Sequence, residues 1–190
     1  MLITVQKITE KEVESTIPFK YKEKLPYSYY IVFSNDSEKV NLEILSAIFD
    51  KLPHENLYFY MQIDLCMQEN IFEYCNKNNL QLNHLFKTDF YIFVRVDIHN
   101  VEDLIKTFPL VDTITSKMGD ITFFASLKNI EINSIESSKN WLFKKLDHFS
   151  IVLFVPDDTN CSFTIYSNDE FYRLDSLENS FSEIISEIIK

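Results

Sequence analysis

The sequence predicts an α+β fold: a mixed, mostly antiparallel sheet with helices packed mainly on one face. Three observations lead there. Runs rich in β-branched and aromatic residues alternate with segments of helical spacing. A β-hairpin signal followed by an amphipathic segment closes the chain. The 190 residues are 46% apolar and 15% aromatic, which suffices for one sizeable core in a single globular domain, 1–190.

The opening 1–27 reads as a short strand, a charged stretch and a loop holding Pro18 and Pro26. Its run Lys20, Lys22, Glu23, Lys24 is expected to be a solvated surface. Tyr29–Ser34 reads as a buried strand, and Asn35, Asp36 and Ser37 as a turn. Leu42, Leu45, Ile48 and Phe49 recur at helical spacing, with Pro53 just past the end. Leu57–Ile63 is a strand whose alternate residues face opposite ways. A helix is expected over Glu69–Asn78, with Ile71, Phe72 and Cys75 inward.

The same order recurs. Phe90–Val96 reads as a strand, and Asn100 as the N-cap of a helix bearing Val101, Leu104, Ile105 and Phe108, which Pro109 ends. Ile121–Leu127 is another strand. Segments 29–63 and 90–127 thus form an internal pseudo-repeat of two β-α-β units, a ferredoxin-like pattern. Lys139–Leu146, with Trp141, Leu142 and Leu146, reads as a short helix. Phe149–Val155 and Ser162–Tyr166 pair across the turn Pro156–Asn160. The last segment reads as a helix, with Asp175 and Glu178 as a capping-box-like pair. Leu177, Phe181, Ile184, Ile185 and Ile188 form its apolar face.

Composition excludes several functions. The single glycine, Gly119, cannot write a P-loop, a dinucleotide fingerprint or a nucleophile elbow. Two arginines, Arg95 and Arg173, in a chain of net charge −11 argue against nucleic-acid binding. Cys66, Cys75 and Cys161 have no CxxC spacing, so reduced thiols are expected and no disulfide framework or zinc knuckle. No run approaches the ~20 apolar residues of a membrane span. The first residues lack the basic and apolar regions of a signal peptide. A cytoplasmic protein with no cofactor and no membrane partner is the expectation.

The charge is uneven. Residues 1–95 hold 13 acids and 10 bases, whereas 96–190 hold 16 and 8. Within 147–189, nine acids face one base, Arg173. Such a field steers a basic partner or simply maintains solubility. Asp157-Asp158 and Asp169-Glu170 are adjacent carboxylates, but neither has calcium-loop spacing. Asp97 and His99 point to one side of an extended segment, half of a catalytic arrangement for which Cys66 could be the nucleophile. Tyr21, Tyr27, Tyr29 and Tyr30 either line a ligand or cover the sheet.

The resulting expectation is a non-enzymatic acidic interaction protein, of the immunity or inhibitor type, that binds a basic partner. Asp157, Asp158, Asp169 and Glu170 would supply charge, and Tyr166 and Tyr172 aromatic anchors. The alternatives are a small-molecule-binding regulatory module and a small enzyme using His99 and Asp97. Self-association through a strand edge or the last helix is also compatible with the sequence.

Overall fold

The computed structural model describes residues 3–10, 19–20, 24–33, 46, 49, 57–116, 122–126, 128, 131–133, 141–144, 152–156, 162–180 and 187–189. They form an α+β fold with two sheets. The strands are β1 (Ile3–Lys7), β2 (Phe19–Lys20), β3 (Tyr27–Phe33), β4 (Leu57–Asp64), β5 (Gln81–Lys87), β6 (Tyr91–Ile98) and β7 (Thr122–Ala125). They continue with β8 (Glu131–Asn133), β9 (Trp141–Lys144), β10 (Val152–Pro156), β11 (Ser162–Ser167) and β12 (Glu187–Ile189). Among the described residues, the helices of seven or more residues are α1 (Gln68–Lys77), α2 (Val101–Val111) and α3 (Leu174–Ser180).

The large sheet has nine strands in the order β12-β1-β3-β11-β10-β7-β4-β6-β5. Every neighbouring pair is antiparallel except β1 with β12. A small sheet has the order β2-β9-β8.

Residues 57–125 run β4-α1-β5-β6-α2-β7, and their strands lie in the order β7-β4-β6-β5. Each helix therefore connects strands that flank a third, the split β-α-β connectivity. The second unit, β6-α2-β7, coincides with the expected 90–127, whereas the first is 57–87; β3 and β4 of the expected 29–63 are separated in the sheet by β11, β10 and β7.

The helices share one face of the large sheet. Alternation in β4 and β6 sends Phe59, Met61, Ile63, Val94 and Val96 to that face, with Tyr29 and Ile31 from β3, Phe124 from β7 and Ile165 from β11. Ile71 and Cys75 of α1, Leu104, Leu110 and Val111 of α2, and Leu177 of α3 close over them. The opposite face is also buried: Tyr60, Phe93, Arg95, Asp97, Phe123 and Tyr166 are all covered. Burial on both sides explains why β4 and β6 read as nearly continuous apolar runs.

Local signals account for several boundaries. Asn100 caps α2 by accepting a 2.9 Å hydrogen bond from the Asp103 amide. Asn100→Ala should cost about 1 kcal/mol, a fall of roughly 2–4 °C in Tm for a chain of this size. Thermal melting of the two proteins checks it.

Pro109 does not end α2. It lies inside the helix, which runs to Val111 and continues as a π-helical turn over Asp112–Ser116. Proline removes the hydrogen bond to residue 105, and Ile105 lies on the exposed side, where water can satisfy the freed carbonyl. The β6 strand begins at Tyr91 and not Phe90, because Thr88 closes a turn there. Its Oγ1 accepts from the amides of Phe90 and Tyr91 at 3.2 and 2.8 Å.

Two expected helices differ in the structure. Trp141–Lys144 is a strand, pairing β8 antiparallel and β2 parallel. The run Trp-Leu-Phe suits a strand once partners exist. At the C-terminus, α3 is described over Leu174–Ser180, and Glu187–Ile189 pairs with β1. The Ile-Ile pair is β-branched and favours that pairing. Asp175 lies in the first turn of α3 and not at its N-cap, so it does not form the expected capping box with Glu178. The 42–49 helix expectation falls almost entirely outside the described residues, of which Ser46 and Phe49 are helical.

At one end of the large sheet, β5 carries a register shift between His84 and Phe86. The extra residue breaks the period-two presentation of backbone groups, a device that discourages edge-to-edge pairing.

Candidate functional site

The most concentrated chemistry lies on the sheet face away from the helices. Residues 95 and 97 are two apart on β6, so strand alternation puts both side chains on that face. There the Arg95 Nε donates to Asp97 Oδ1 at 2.6 Å, and Nη2 reaches Oδ2 at 3.4 Å. Asn83 of β5, opposite Arg95 in register, donates to Oδ1 at 3.1 Å. Lys128, just beyond β7, brings Nζ within 3.4 Å of Oδ2.

The Lys128 backbone is held as well. Its carbonyl accepts from Arg95 Nη1 at 2.7 Å and from the Tyr60 hydroxyl at 2.8 Å. The Tyr58 ring stands beneath both cations, 5.3 Å from the Arg95 guanidinium carbon and 6.0 Å from Lys128 Nζ. The Asp97 side chain is 2% exposed and that of Arg95 8%, whereas Lys128 is 54% exposed. Desolvating such a pair is offset only when the remaining polar atoms find partners. Here the carboxylate receives three residues, and the guanidinium serves both a carboxylate and a carbonyl. The cluster therefore fixes the exit of β7 on the sheet.

The tyrosines report the same dryness. Burial raises the Tyr60 hydroxyl well above its ordinary value of 10.0, with Arg95 opposing the shift. Burial also raises Tyr172 far above that value, and Tyr29 to about 12. The folded chain thus holds these phenols neutral where an unfolded chain would ionise them. Their contribution is complete below pH ~10 and is lost as pH rises through the folded values. Stability should fall from about pH 10 upward. Absorbance of tyrosinate should rise for these groups together with unfolding and not before it; their ionisation in a protein still folded by circular dichroism would contradict this.

The Asp97–His99–Cys66 grouping is not assembled. The Asp97 carboxylate is engaged by Arg95, Asn83 and Lys128. His99 is exposed beyond the strand, and its backbone amide donates to Asp103 Oδ2 at 3.1 Å. Cys66 follows the other end of β4. Asp97 lies opposite Tyr58, and Tyr91 opposite Asp64, a separation of about 20 Å at 3.4 Å per residue.

Cys66 is exposed and Cys75 buried. Burial pushes the Cys75 thiol up to about 11. Iodoacetamide at neutral pH should label Cys66 rapidly and spare Cys75 until the protein unfolds; site-resolved mass spectrometry reads this out. Among the described residues, no three His, Cys, Asp or Glu side chains form a group that could hold a metal ion. No described helix is long and apolar enough to cross a membrane.

The proposed partner-binding residues divide. Asp157 and Asp158 lie outside the described residues. Asp169 accepts from the Phe171 amide at 2.9 Å, capping a 3₁₀ turn over Glu170–Tyr172, and Ser167 Oγ accepts from the Asp169 amide at 3.0 Å. That turn leaves Glu170 exposed. Asp175 is exposed too, with Arg173 Nε 3.3 Å from its Oδ1. Tyr166 and Tyr172 are 1% and 0% exposed. Their rings belong to the interior, so the exposed groups of this segment are carboxylates and not those aromatics.

Nor do the β3 tyrosines make one wall. Tyr29 faces the helices, while the Tyr30 hydroxyl lies 2.9 Å from Ser162 Oγ on the other face; Tyr21 is outside the described residues.

The sequence reading missed Arg95. The signal was present: opposite charges two apart in a strand share a face and can pair. No family model matches this chain, and no match was found among curated proteins or solved structures.

Proposed function

We propose that the protein is a non-enzymatic acidic interaction protein that binds a basic partner through the carboxylates around 169–178. The observation that supports this reading most is the presentation of Glu170 and Asp175. Both are exposed on short structured segments that follow Asp169, which holds the first turn. Glu178 adds a fourth acid, and Arg173 is the sole base within 147–189. A preformed acidic surface accelerates encounter with a basic protein and loses that advantage in salt.

The sharper form of the proposal is an inhibitor or immunity-type protein. Its carboxylates would occupy the cationic site of a partner such as a nuclease toxin, as phosphates would. Three cysteines without CxxC spacing suit a reducing compartment, the cytoplasm.

Affinity capture from host lysate, at low and at high salt, tests the reading. The control protein carries Asp169→Asn, Glu170→Gln, Asp175→Asn and Glu178→Gln. Asn at 169 keeps an N-cap acceptor, so the turn should survive. A basic protein captured stoichiometrically, and lost in high salt and by the variant, is the expected result. Identical captures by both forms would overturn it.

A further inference from the structure

We draw no further inference here: the strongest candidate, the exposed Phe90 ring on the turn between β5 and β6 at the same sheet end as the exposed thiol of Cys66, is an apolar surface point for which nothing in the structure shows what covers it.

Discussion

Asp97→Ala should destabilise the protein by roughly 3–5 kcal/mol, because it strands Arg95 in a dry site without its carboxylate. For a chain of this length that corresponds to a Tm lower by roughly 6–20 °C. The expectation follows from the 2.6 Å contact between the two buried side chains.

The companion variants sort the causes. Replacing both members, Arg95→Met with Asp97→Leu, should recover much of the loss, since a matched apolar pair leaves no buried charge. Some loss should remain, because the Lys128 carbonyl then keeps only the Tyr60 hydroxyl of its two donors. Lys128→Met should cost less than about 1 kcal/mol. Its ammonium is half exposed, and its backbone carbonyl, which does the anchoring, is unchanged. Urea unfolding of the four proteins measures the series. A Lys128→Met loss equal to that of Asp97→Ala would refute the assignment of anchoring to the carbonyl.

The second large effect is expected at Phe124. Its ring stacks on Phe59 at 4.6 Å, meets Phe49 edge-on at 5.7 Å and lies 6.4 Å from Phe108. It is therefore where β4, β7 and the helix layer converge. Phe124→Ala removes this hub from a close-packed core and should cost about 3–5 kcal/mol, from lost transfer energy and the cavity together. Phe124→Leu keeps most of the volume and should cost much less. Equal losses for Ala and Leu would mean that the aromatic contacts, and not the filled volume, carry the stability.

Much of this fold was legible because its strongest signals are local. Alternation placed Phe59, Met61 and Ile63 on one face of β4, and Ile71 and Cys75 showed the inward side of α1. Asn100 marked the start of α2 through a cap needing only its own neighbours.

What escaped depends on distant partners. Strand β5, Gln81–Lys87, is a half-exposed sheet edge with an interrupted register, so its sequence lacks a clean period of two. Trp141–Lys144 and Glu187–Ile189 become strands because β2, β8 and β1 lie beside them. Pro109 stayed helical because its missing donor faces an exposed side.

The site was less legible for the same reason. Tyr166 and Tyr172 resemble interface aromatics in sequence, but both sheet faces are covered, and they are buried there. Asp97 drew attention beside His99, whereas its partners come from residues 83, 95 and 128 on three separate segments.

A buried cluster holds the fold, whereas the exposed acids are proposed to meet a partner. The most direct test is the affinity of the captured basic protein for three forms: wild type, Asp169→Asn with Glu170→Gln, and Asp97→Asn. It should be measured at a temperature where all three are folded. Neutralising residues 169 and 170 should weaken binding and flatten its salt dependence, while Asp97→Asn should lower stability and leave affinity unchanged. Unchanged affinity in the first variant, with a loss in the second, would contradict this.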